Sequence, residues 1–295
     1  MTDHAEHWYA TAHLKLGEAY RKRGLWQKAR SEYKVAIRLK PDCYEAWSAL
    51  GETYLAEGKA GEAKEPLQRA AAIRNNDPLA HLNLGRAFLE EDDYPAAAAE
   101  LAEASKRDPH NSEVHYFMGR LCLEKGEYHE ALRHFEKATS VRKYALDRLL
   151  CMALAQTRLG AFEGATAILK EALGEDATNV SALNCIAEAY RGRGMRYEAI
   201  KYLRRAVHAG AGCAETHRNI AELYREMGMY PQAIREYNNL LTFCSEGDCA
   251  EEVLETINVL TRESEQEPCG SPRFRSGTAG CLRVRTEERR GKHGD

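Results

Sequence analysis

The sequence predicts an all-α protein, a right-handed α-solenoid of seven 34-residue helix-turn-helix repeats closed by a C-terminal capping helix. Three observations predict it. The 295-residue chain aligns with itself at a step of thirty-four residues, without a gap, from Ala10 to Gly247. Small residues recur at two fixed positions of each step, beside columns of bulky apolar ones. Glycines mark the middle of nearly every step. A fixed period of this length means one supersecondary unit stacked on copies of itself.

The blocks begin at Ala10, Tyr44, Pro78, Ser112, Leu146, Val180 and Ala214. Their eighth residues are Gly17, Gly51, Gly85, Gly119, Ala153, Ala187 and Ala221. Their twentieth residues are Ala29, Ala63, Ala97, Ala131, Ala165, Ala199 and Ala233. Two helix backbones approach closely at such positions, and a larger side chain there costs about 1–3 kcal/mol in overpacking. Gly24, Gly58, Gly126, Gly160, Gly194 and Gly228 end first helices, where a left-handed backbone costs glycine little. The third block has Asp92 there, then Asp93, with Pro95 opening its second helix as Pro231 does in the seventh. Pro41 and Pro109 close second helices, whereas Pro66 falls inside one and predicts a kink or a late helix start.

Residues 1–9 are an N-terminal extension in which Trp8 and Tyr9 are candidates to lengthen the first helix. After the repeats, Asp248 and Glu251 read as a helix start, and Val253, Leu254, Ile257 and Leu260 follow at helical spacing. An eighth block would place Glu255 on the Gly/Ala position, so residues 248–263 are expected to cap the stack. Residues 264–295, rich in Gly, Pro and Arg with little apolar periodicity, are expected to form a disordered basic tail.

These columns resemble the tetratricopeptide repeat family. The second block carries the motif most closely, with Trp47, Leu50-Gly51, Tyr54, Ala63, Leu67 and Ala70. Cys122 and Gln156 depart from the motif's aromatic, and Asn75, Lys143, Ala177, Ala211 and Ser245 from its closing proline, so the fourth and fifth blocks are expected to pack more loosely. Two specialised functions of the family fail residue by residue. The set that grips a chaperone's C-terminal carboxylate would fall on Leu14, Glu18, Ala49, Leu79 and Asn83, which lack its chemistry. The asparagine ladder of the sugar-transferring members is reduced to Asn83 and Asn219.

A net charge of -3 gives no overall pull toward nucleic acid or anionic lipid. There is no eighteen-residue apolar run and no signal pattern, which predicts a soluble, cytoplasmic protein without membrane insertion. Nine scattered cysteines argue against a disulfide framework, and the Cys244/Cys249 pair lacks zinc-site spacing. His13, His81, His115 and His217 share the fourth position of their blocks with Trp47, which reads as packing between paired helices. No phosphate-binding glycine loop, metal-ligand pair or nucleophile motif appears, so no enzyme activity, metal or cofactor is expected.

The resemblance implies that first helices line a concave groove holding a peptide or helix. The second, fifth, ninth and twelfth residues of each block are expected to face it. They form an apolar stretch over the middle blocks, with Leu55, Leu82, Leu89, Tyr116, Leu123, Leu150 and Leu154 punctuated by Arg86, Arg120 and Arg158. Burying one leucine contributes about 1.5–3 kcal/mol, against about 8 kcal/mol for micromolar affinity. The expected function is a non-catalytic adaptor whose protein partner has apolar anchors and acidic flanks. Two alternatives remain: a self-assembling scaffold, which needs an adhesive end around Trp8, Tyr9 and Trp26, and a regulatory subunit of an enzyme.

Overall fold

A computed structural model describes residues 2–210, 214–243 and 248–266. Cys213, Cys244 and the basic residues beyond Gln266 lie outside the described residues, as do the side chains of Asp248 and Cys249. The described residues form helices and connecting turns, with no strand among them.

The first helices of the blocks are α1 (Thr2–Lys22), α3 (Tyr44–Ala56), α5 (Pro78–Glu90), α7 (Ser112–Glu124), α9 (Ala145–Arg158), α11 (Val180–Gly192) and α13 (Ala214–Glu226). The second helices are α2 (Trp26–Leu39), α4 (Ala60–Ile73), α6 (Tyr94–Arg107), α8 (Tyr128–Lys137), α10 (Phe162–Glu175), α12 (Arg196–His208) and α14 (Tyr230–Leu241). Each helix packs on its neighbours in sequence, the arrangement of an α-solenoid. Residues 2–9 continue α1. A last helix, α15 (Asp248–Gln266), lies on α14 and buries Val253 and Leu260. It takes in Ser264–Gln266, which the sequence assigned to the tail.

The small columns are where the helices of a pair meet. All seven alanines at the twentieth position have no exposed surface. A methyl group on Gly119 would lie 2.7 Å from the Phe135 ring, and one on Gly85 would lie 2.8 Å from Leu101. Six of the turn glycines have φ between 70° and 76°, and Asp92 adopts φ 58° in their place. Asp93 then caps α6, its carboxylate accepting from the Ala96 N–H at 3.2 Å.

The fourth-position column is simple packing at Leu149 and Leu183 and a polar clasp in the other five blocks. Nε2–H of His81 donates to the Asn75 carbonyl at 2.9 Å, and Nδ1 meets Glu100 on α6 at 2.7 Å. His13 and His217 pair with Glu32 and Glu236 at the same nineteen-residue spacing. His115 donates to the Pro109 carbonyl at 3.0 Å and meets His134 at 3.1 Å. In the second block Nε1–H of Trp47 donates to the Pro41 carbonyl at 2.8 Å, and Pro66 stands where the histidine-bearing blocks have an acid or histidine. The expected late start at Pro66 does not occur. The helix α4 begins at Ala60 and runs through the buried proline, packed beside Leu67 and Ala63.

The stack is least regular where the closing proline is missing after the fourth block. The helix α8 has 10 residues, against 12 to 14 in the other second helices, and a 3-10 turn over Arg142–Tyr144 leads into α9. Thr139, Ser140 and Val141 follow α8, and such β-branched and hydroxyl residues continue a helix poorly. The buried apolar core divides at the same place, one cluster ending at Ala138 and the next beginning at Leu149.

Candidate partner-binding surface

From α1 to α11 each first helix touches the next first helix, while no comparable contact joins successive second helices. The stack therefore curves with the first helices on its inner wall.

The structure corrects the expectation of an exposed apolar stripe on that wall. Leu55, Leu82, Leu89 and Tyr116 retain only 3%, 1%, 4% and 2% of their exposure. Adjacent first helices lie so close that these side chains are enclosed between them. Leu82 and Leu89 enter the same buried cluster as Tyr116 and Phe117. Tyr116 stacks on Tyr144 with ring centroids 4.3 Å apart, and its hydroxyl donates to Asp147. Burial, reinforced by the Asp147 carboxylate, pushes the Tyr116 phenol far above its ordinary range.

A second pattern went unread in the sequence. Polar side chains thirty-one residues apart link neighbouring first helices. Arg21 lies 3.9 Å from Glu52, and Asn83 donates to Glu52 at 3.2 Å. The Tyr116–Asp147 bond has the same spacing, as does the Arg191 donation to Glu222 at 3.3 Å. Thirty-one is three less than the period, so each pair joins facing turns of two stacked helices. Complementary residues at this offset are the signal that identifies them.

The remaining predicted residues stay accessible. Leu123, Leu150, Leu154 and Arg120 are half-buried, and Arg158 is exposed. Among the described residues neither Arg120 nor Arg158 forms an ion pair; Arg120 lies over the Phe117 ring at 6.0 Å. Arg86 is half-buried and bound to Glu90 at 2.8 Å. The wall opens between α11 and α13 into a cleft of about 310 Å³ lined by Asn184, Cys185, Glu188, Arg191, Glu215 and Asn219. A larger hollow of about 690 Å³ lies between α2 and α4, around Lys34, Trp47 and Pro66, with no catalytic constellation in its lining. Burial pushes the wall thiols Cys151 and Cys185 up to about 12 and about 11, so they stay protonated near neutrality. No group of three metal-ligating side chains converges among the described residues. No described helix is long and apolar enough to cross a membrane.

Fold and wall together define a helical-repeat protein built to present one long curved surface. Tetratricopeptide repeat profiles match residues 9–78, 54–121 and 88–143, and the same period continues to Gly247. The chain belongs to the tetratricopeptide repeat family. Repeats of this family mediate protein–protein interactions. The fold is similar to that of a tetratricopeptide repeat protein from Parabacteroides merdae, at 16% identity and a TM-score of 0.63, covering 86% of this chain and 99% of that one. It is also similar to PilW, a type IV pilus biogenesis factor, at 18% identity and a TM-score of 0.65, covering 72% of this chain and 98% of that one. PilF of Pseudomonas aeruginosa aligns at 20% identity and a TM-score of 0.59, covering 72% of this chain and 97% of that one. No curated protein sequence matches the chain.

Proposed function

We propose that the chain is a non-catalytic cytoplasmic adaptor whose inner wall, centred on α7 and α9, holds a protein segment with apolar anchors and acidic flanks. The observation that carries this reading is that half-buried Leu123, Leu150 and Leu154 share α7 and α9 with Arg120 and Arg158, which form no ion pair among the described residues. Elsewhere on the wall, the chain's own staples at a spacing of thirty-one residues engage Arg21, Glu52, Asn83, Arg191 and Glu222. A carboxylate brought to Arg120 would gain a charge-assisted, bidentate contact, and a helix or extended strand would cover the leucines. Unpaired thiols persist in a reducing cytoplasm, which fits the placement.

The test uses accessible residues only. Leu154→Asp with Arg120→Glu should abolish capture of the native partner while circular dichroism and melting temperature hold. Undiminished capture would sink the placement. Leu89 is unsuitable because an aspartate at a 4%-exposed site would unfold α5.

A further inference from the structure

The two ends of the solenoid carry opposite charge and uncovered apolar side chains. Residues 2–43, which hold α1 and α2, carry nine Lys/Arg against five Asp/Glu, a net +4, and residues 10–43 are the most basic block of the seven. The helix α15 holds six Asp/Glu against one arginine, a net −5.

The outer face of α1 presents Trp8, Ala12, Lys15, Ala19 and Lys22 in a row, at alternating spacings of four and three. That is the spacing of a helix-packing seam. Beside it Tyr9, Leu16 and Arg23 form a second row. Trp8, Tyr9 and Leu16 are 67%, 54% and 42% exposed, although the same column as Leu16 is buried in later blocks at Leu50 and Ile186. On α15, Leu254 and Val259 are each 49% exposed. At about 100° per residue, they flank the exposed carboxylates of Glu251 and Glu255. Neither these carboxylates nor Lys15, Lys22 and Arg23 form ion pairs among the described residues. The named residues span about 22 Å along α1 and about 12 Å along α15.

We infer that the α1 face of one chain docks on the α15 face of a second copy, so that copies stack head to tail. The apolar residues on each face cover one another, and the lysines of α1 meet the glutamates of α15. A two-fold pair of α1 faces is disfavoured because antiparallel pairing about the row's centre sets Lys15 against Lys15 of the second copy. A head-to-tail contact uses two different surfaces, so growth continues past a dimer unless the ring closes. The contact depends on salt, since charges on exposed faces are screened over about 3 Å at 1 M ionic strength.

Sedimentation velocity across a hundredfold range of concentration tests this. At low salt the mass of the wild-type chain should rise continuously with concentration, and at about 1 M salt it should fall toward one chain. Lys15→Glu with Lys22→Glu should stay at one chain, as should Glu251→Lys with Glu255→Lys; mixing the two variants should restore assembly. All four sites are exposed, so circular dichroism should not change. A constant single-chain mass at low salt would overturn the inference, as would a mass that stops at a dimer or variants that assemble alone. Assembly that appears only after residues 267–295 are removed would assign the α15 face to the chain's own basic end and overturn it too.

Discussion

Replacing His81 tests whether the fourth-position clasp holds the third helix pair to the block before it. The ring is buried, joined at 2.9 Å to the Asn75 carbonyl and at 2.7 Å to Glu100. In His81→Ala both partners lose their bond. An unsatisfied buried group costs about 1–3 kcal/mol. Glu100 keeps 27% of its side-chain exposure and can rehydrate, so its share falls at the low end. The sum is about 2–4 kcal/mol. Urea unfolding followed by circular dichroism measures it, and hydrogen exchange of α5 and α6 localises it. The chain supplies its own control, because Trp47 keeps only the carbonyl bond, at 2.8 Å, with Pro66 in the acid's place. His81→Trp in a Glu100→Ala background should therefore recover about half of the loss. A His81→Ala cost below about 0.5 kcal/mol, the range of ordinary surface changes, would refute the clasp.

Asp92→Gly should stabilise the third block by about 0.5–1 kcal/mol, because φ 58° strains an aspartate and not a glycine. A lower melting temperature would contradict this. His134 carries a pH dependence. Burial first, and then the adjacent His115, hold its pKa below the usual histidine range, while Glu130 opposes them and Lys137 and Arg133 add to them. The folded value lies below the unfolded one, so this contribution is present above about pH 6.5 and is lost as pH falls through the folded value. Thermal melts from neutral pH to pH 5 should show the loss, and His134→Glu, which restores the acid of the other histidine-bearing blocks, should reduce it.

Much of the fold is legible because its contacts recur at fixed offsets. Gly119 and Phe135 meet sixteen residues apart, as do Gly85 and Leu101, so one column pair announces the packing of every block. Turn glycines and Asp92 are legible because a left-handed residue has few chemical solutions. The wall was harder to read. Leu82, Leu89 and Tyr116 sit at positions that face the groove in a lone helix pair. Their burial depends on how closely the next first helix approaches, and no single block records that distance. Leu123, Leu150 and Leu154 occupy the same kinds of position and stay accessible. They lie beside the junction where α8 stops short and the core divides.

The sequence by itself determined the repeat, its helix boundaries and the small-residue contacts, since each follows from residues within one period. Only the tertiary structure decided which inner-wall side chains the protein covers itself and which keep part of their surface exposed. That outcome depends on curvature, the sum of small rotations between blocks, and on pairings such as Tyr116 with Asp147 that exist only once neighbouring helices are in place.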